Sequence, residues 1–384
     1  MSAKSIYIHI PFCNTKCPYC DFASWAKKEN LIDKYFEALL LEINTKCEAY
    51  RQLASFPACQ FSIQSARNDI DTIFIGGGTP SLIPPEYYEK LFVEFKKYFE
   101  LSKGCEITLE LNPGTARDDF LKGYKALGIN RISIGAQSFD ERILEILGRK
   151  HSVKDIYDAV SKTINCGFNN YNLDLIYSVP ELTHTTWLNT IYKVLELNPN
   201  HISTYSLTIE QGTPFENIYK NKALLPSDDF AFESYITLCN TLKTHGYVHY
   251  EISNFAKPTF ESKHNLNYWR CGEFYAFGNG AYRYLNGKRT ANVRGLEDYI
   301  KNPISEKIID FPIDYMFEEV MLSSRLNSGI KLDLVKKISN KNKEKIKELI
   351  YDFQKEGFLE LSEDKVFLTD KGMFVNNEIL LKLI

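Results

Sequence analysis

The sequence predicts an α/β protein whose first half is a parallel sheet, and three observations lead there. Short apolar runs alternate with amphipathic helical stretches from Ser5 to about Thr208. The runs recur six times, as six β/α units would. Past Thr208 the alternation stops and the chain becomes mixed. A sheet of this kind is either doubly wound or curled into a barrel, and its chemistry gathers at the carboxyl ends of the strands.

Taken in order, the predicted strands are Ile6–Ile10, Thr72–Ile75, Glu106–Leu111, Arg131–Ile134, Asn172–Ile176 and His201–Leu207. Leu31, Tyr35, Leu39, Ile43, Cys47 and Tyr50 recur at helical spacing, which predicts a helix over 31–50. Pro84-Pro85 opens a second helix running to about Phe99. The stretch Arg51–Asn68 reads as a long polar connection. Beyond the repeats, 228–245 reads as a helix and Val248–Phe255 as a strand. The chain closes in helix, hairpin, helix order (343–355, 358–368, 371–383), a winged-helix-like succession. The expected division is 1–210, 211–311 and 312–384: a core, a capping region and a C-terminal winged-helix-like domain.

Composition narrows the function. Lys and Arg total 46 against 49 Asp and Glu, giving a net charge of −3 over 384 residues, so there is no general attraction to nucleic acid. No apolar run is long enough for a transmembrane segment and no signal-peptide pattern opens the chain, so the expectation is a cytoplasmic protein. Aromatic residues reach 14%, which suits either a flat ligand or an aromatic core. Nine cysteines are an odd number for a disulfide framework. Cys47, Cys59, Cys105, Cys166, Cys239 and Cys271 are scattered, whereas Cys13, Cys17 and Cys20 crowd into one loop after the first strand. Three thiolates so spaced can hold three irons of a [4Fe–4S] cubane and leave the fourth iron to a non-protein ligand. They also suit a structural zinc ion completed by His9 or a distant cysteine. On the residues alone both remain open.

Further motifs fall near successive strand ends. They are Gly76-Gly77-Gly78-Thr79-Pro80, Glu110 in the third strand, Gln137 after the fourth, Arg149 just beyond, and Asp174 in the fifth. With the cysteine loop, these residues resemble the radical S-adenosylmethionine (SAM) family. The resemblance implies a partial (β/α)6 barrel with a C-terminal α+β extension, a [4Fe–4S] cluster on Cys13, Cys17 and Cys20, and SAM on the open iron. It assigns SAM contacts to Gly77, Gly78 and Thr79, to Glu110 through the ribose, and to Gln137, Arg149 and Asp174, with Tyr7, Tyr19 and Phe22 also lining the cofactor site.

Within that family the phrases Ile6–Phe12, Phe74–Ser81, Gln137–Phe139 and Tyr250–Phe255 are similar to the branch holding oxygen-independent coproporphyrinogen III dehydrogenase and the HemW-type haem chaperones. The dehydrogenase pattern has a fourth cysteine where this chain has Phe22, and a long extension before the first strand. His264-Asn265-Leu266-Asn267-Tyr268-Trp269 matches the HNxxYW segment of the chaperones. There the resemblance implies haem binding, with His264 as an axial ligand to the iron and Tyr268 and Trp269 against the macrocycle. The chain departs from the branch at Tyr177–Leu182, where a Gly-rich phrase is usual, and at Gly280-Ala281-Tyr282-Arg283, where a histidine is usual. The resemblance implies delivery of haem to acceptor proteins, respiratory ones among them, and leaves a homodimer open. The competing implication is the dehydrogenase reaction itself, an oxidative decarboxylation.

Overall fold

The computed structural model describes residues 3–54 and 68–384. Most of the connection expected over 51–68 lies outside the described residues, as does Cys59.

One twelve-stranded sheet organises the chain. Its first strand, β1 (Ser5–Ile10), leads into the cysteine loop, where β2 (Phe12–Cys13) and β3 (Trp25–Ala26) form a small separate pair. Five more parallel strands follow: β4 (Asn68–Gly77), β5 (Phe99–Leu111), β6 (Arg131–Gln137), β7 (Tyr171–Tyr177) and β8 (His201–Ser206). These six carry the six predicted units. Helices Ile32–Ala54, Pro85–Phe95, Asp118–Ala126, Val153–Asn165 and His184–Leu197 connect them.

Residues 211–311, expected as a capping region, add strands to the same sheet at both edges. On one side β9 (Val248–Glu251) and β10 (Asn254–Ala256) pair antiparallel, β10 lying on β8. What reads as one strand over 248–255 is thus a hairpin. On the other side β11 (Phe274–Phe277) runs parallel to β1, and β12 (Tyr282–Leu285), β13 (Lys288–Asn292) and β14 (Glu306–Asp310) continue antiparallel.

The strands alternate strictly, and this positions the site. Ile6, Ile8, Ile10, Ile73, Ile75, Ile107, Leu109, Ile132, Ile134, Leu173 and Leu175 are buried on one face, where the helices pack. The intervening residues, among them Tyr7, His9, Thr72, Glu106, Thr108, Glu110, Arg131, Ser133, Asn172 and Asp174, share the other face. A mostly polar interior lined by the middle strands follows from that period of two.

C-terminally, a second apolar core gathers Val320, Ile346, Phe353, Val366 and Leu380. The helix Lys343–Lys355 and the hairpin β16 (Leu359–Ser362) and β17 (Lys365–Leu368) match the winged-helix-like order, with β15 (Ile330–Lys331) added beside β17. The expected last helix is two, Asp370–Phe374 and Asn376–Leu383, because Val375 leaves helical geometry (φ −110°, ψ 32°). Among the described residues, no helix is long and apolar enough to cross a membrane.

Candidate cofactor site at the strand ends

The loop from Phe12 to Ala26 is fastened at several points. Trp25 N–H donates to Pro11 O (2.7 Å), Cys20 N–H to Cys17 O (3.1 Å), and the Lys16 ammonium to Phe22 O (3.0 Å). Gly148 has φ +67°, and a Cβ there would stand 2.4 Å from Pro18 Cδ, so a side chain would push the loop off its support. Cys13 is buried, and Cys17 and Cys20 are half-buried. Thr79 Oγ1 donates to Cys13 Sγ (3.5 Å) and Arg149 Nη1 to Cys17 Sγ (3.6 Å), both contacts that favour thiolates. Burial chiefly raises the Cys13 and Cys20 pKa values, and the neighbouring thiols add to it. Three sulfurs that repel one another as anions are stabilised by binding cationic iron.

His9 is not free to complete a zinc site. Its Nε2 donates to Ala23 O (2.9 Å) and its Nδ1 accepts from the Tyr7 hydroxyl (3.0 Å), the tautomer being fixed by the carbonyl. Burial lowers its pKa to about 4, so it stays neutral. The donor set fits a cluster that needs three protein thiolates.

Around the loop, the strand ends bring together most of the residues that the sequence singles out. At the end of β4 a Cβ on Gly77 (φ +117°) would meet the His9 ring at 2.5 Å, and one on Gly78 would meet Phe12 O at 2.7 Å. Glycine alone allows the turn to lie this close to the loop. Glu110 Oε2 accepts from Gly77 N–H (2.9 Å), and burial, then the charge of Asp174, push its carboxyl up to about 7. Asp174 accepts from Asn172 Nδ2 (2.8 Å) and Ser133 Oγ (3.2 Å), and its pKa is raised by burial. Gln137 sits in left-handed backbone (φ 66°), a strained setting for a non-glycine residue and one common at functional sites. A Cβ on Gly135 would lie 2.9 Å from Gln137 Nε2 and 3.4 Å from Arg149 Nη2, so both side chains converge over it. Arg149 also donates to Gly135 O (3.0 Å), while its buried Nε has no hydrogen-bond partner among the described residues. Tyr19 lies beside Arg149 and the cysteines, its pKa raised mainly by burial. Tyr7 stacks on Phe74 (6.3 Å, 24°). Phe22 is on the loop but 62% exposed.

The HNxxYW segment is elsewhere. It forms the short helix Lys263–Trp269, whose His264 reaches Thr72 in β4 and Glu106 in β5, level with Ser5 at the start of β1. Thr72, which it touches, is four residues from Gly76, about 13 Å along the strand at ~3.3 Å per residue. Thr72 Oγ1 donates to Ser5 Oγ, so His264 Nδ1 donates to Thr72 (2.7 Å) and Nε2 accepts the Tyr268 hydroxyl (2.7 Å). The ring is 1% exposed, and burial lowers its pKa to about 3. Both nitrogens of His264, the expected axial haem ligand, are thus engaged within the core in this arrangement. Tyr268 is likewise turned inward, its ring edge on Phe274 (4.5 Å). Trp269 differs. Its Nε1 has no partner among the described residues, and the Arg325 guanidinium lies 4.4 Å from its ring centre.

Sequence reasoning missed the buried group next to the strand starts. His201 bonds Asn172 Oδ1 (2.7 Å) and the Tyr250 hydroxyl (2.7 Å), and Arg131, 2% exposed, donates weakly to Thr108 Oγ1 (3.5 Å). The alternation of the strands was the available signal for these polar residues.

Comparison with known proteins agrees with this geometry. The radical SAM superfamily matches residues 7–192, and the HemN C-terminal domain matches residues 312–375. A heme chaperone HemW of Lactococcus lactis is 36% identical, covering 99% of this chain and 97% of its own. That of Bacillus subtilis is 34% identical, with 98% of each chain covered. The chain belongs to the HemW heme chaperone family. Among solved structures, coproporphyrinogen III oxidase (HemN) from Escherichia coli, a radical SAM enzyme, superposes with a TM-score of 0.79 at 21% identity, over 99% of this chain and 89% of that one. That likeness shows that this chain has the fold of HemN, and it says nothing more about activity.

Proposed function

We propose that this protein binds haem and hands it to haem-requiring proteins in the cytoplasm, respiratory ones among them, while carrying a [4Fe–4S] cluster and SAM in its core. The observation that carries the reading is a three-cysteine loop, with exposed Phe22 two residues after Cys20, in a chain matched end to end by heme chaperones.

Cys13, Cys17 and Cys20 hold the cluster, and Arg149 and Thr79 steady the first two sulfurs. The Gly77-Gly78 turn, held against the cysteine loop, meets the methionine end of SAM, Glu110 takes the ribose, and Gln137, Arg149 and Asp174 close the pocket. The cluster these cysteines would hold would supply one-electron reducing chemistry. Haem is the cargo. Trp269 Nε1 and Arg325 Nε, adjacent donors without partners, suit a haem propionate, whereas His264 keeps its place in the core. In domain terms, 1–210 is the radical SAM core, 211–311 its sheet extension with the HNxxYW helix, and 312–384 the winged-helix-like domain.

The test uses anaerobically reconstituted protein given haem or coproporphyrinogen III separately. Stable, stoichiometric haem binding with no porphyrin product is expected. SAM-dependent release of carbon dioxide from coproporphyrinogen III would assign the dehydrogenase reaction instead.

A further inference from the structure

Cys239, His249 and Asp370 meet at a place the cofactor site does not use. Cys239 is on the helix Asp228–Thr244, His249 on β9, and Asp370 opens the helix Asp370–Phe374 of the C-terminal segment. Among the described residues, these three form a group whose ligand atoms all lie within 4.8 Å of one another. Cys239 Sγ is 3.9 Å from His249 Nδ1, and that nitrogen is 2.9 Å from Asp370 Oδ1. Thiolate, imidazole and carboxylate on one tetrahedral ion, at bonds of about 2.0–2.3 Å, stand roughly 3.3–3.6 Å apart. The observed separations bracket that value.

Proton placement sharpens the case. The Tyr235 hydroxyl donates to Ile252 O (3.0 Å), and His249 Nε2 faces the same carbonyl (3.2 Å). Nε2 therefore carries its hydrogen, as do histidines whose rear nitrogen is fixed by a carbonyl behind a metal. Nδ1 then points a lone pair at a carboxylate oxygen, and the pair needs a cation between them, either a second proton or a metal ion. The ring cannot turn to water, being 2% exposed and stacked on Phe255 (4.3 Å, 13°).

We propose that Cys239, His249 and Asp370 form a site for one divalent cation of the zinc type, clamping the C-terminal domain to the radical SAM core. One thiolate and one carboxylate balance the ion's two charges, and a neutral assembly is what a buried position tolerates. The Cys239 thiol proton leaves to solvent on binding, and nothing is oxidised or reduced. Lys243, 2.5 Å from Asp370 Oδ2, competes for the carboxylate, but its side chain is 49% exposed and can swing outward.

The test uses the full chain with its cluster reconstituted, so that iron occupies Cys13, Cys17 and Cys20, titrated with Zn²⁺ or Co²⁺ and then dialysed. About one Zn²⁺ per chain should remain beside the iron, and Co²⁺ should show thiolate charge-transfer absorption. Cys239→Ser, nearly isosteric, and His249→Gln should each lose both signals with iron content unchanged, circular dichroism confirming the fold. Wild-type protein that retains no zinc and shows no cobalt–thiolate band overturns the proposal and leaves a proton between His249 and Asp370. Variants that keep the zinc in full overturn it as well.

Discussion

At the carboxyl ends of the parallel strands, Arg149 has a buried Nε with no partner, Gln137 is held in left-handed backbone, and Glu110 is a buried acid raised to about 7. At the amino ends the side chains are no less polar, and the histidines there are engaged, although Arg131 Nε is buried without a partner among the described residues. His264 bonds Thr72 and Tyr268, and His201 bonds Asn172 and Tyr250. Both ends look like ligand sites when residue types alone are counted. Backbone strain at Gln137 and the raised acid Glu110 distinguish the carboxyl end from the engaged histidines of the amino end.

The largest expected effect breaks the cofactor end. Replacing Cys13, Cys17 or Cys20 singly by Ala should abolish the iron–sulfur absorbance near ~400 nm after reconstitution. Iron and sulfide analysis checks it, and a full four-iron complement in any variant would mean that a remote cysteine contributes.

Next in size is the core end. His264→Ala leaves Thr72 and Tyr268 without their partner and opens a cavity, so denaturant unfolding should show a loss of about 2–4 kcal/mol. Haem bound to the folded fraction should keep its Soret position. A moved Soret band at unchanged stability would return His264 to the ligand role.

Glu110→Gln should weaken SAM binding roughly tenfold by calorimetry, about 1.4 kcal/mol. Its pH signature is more telling. The folded carboxyl is raised from 4.5 to about 7, so between those values the folded apo-protein holds more protons than the unfolded chain. Stability therefore declines as pH rises through that window, while SAM affinity climbs as the carboxylate forms. Both slopes should flatten in Glu110→Gln.

The smallest effect is Tyr268→Phe. It removes one hydrogen bond to His264 Nε2 and should cost about 1 kcal/mol in stability.

Much of this contrast was legible in the sequence at one end only. Cys13, Cys17 and Cys20 lie within one loop, and Gly77, Glu110, Gln137 and Asp174 each follow or sit in a strand with a clear apolar pattern. Their convergence follows from strand order. His264 was also visible, but its meaning was not, because the partners that engage it, Thr72 and Tyr268, include one 192 residues away in sequence. Arg131 and His201 each open an ordinary apolar strand, so only the alternation of those strands pointed to them. The β9–β10 hairpin was read as one strand since Ile252-Ser253 carries no Gly or Pro to mark its turn. The Cys239, His249 and Asp370 group draws on two cores and had no sequence motif at all.

The contrast between the two ends is tested most directly by hydrogen exchange of the cluster-loaded protein, with and without SAM. SAM should slow exchange in residues 13–25 and 76–79, while the amides of the helix Lys263–Trp269 exchange slowly before it is added and do not change. A helix Lys263–Trp269 that exchanges fast until SAM protects it, with the cysteine loop unmoved, would contradict the account.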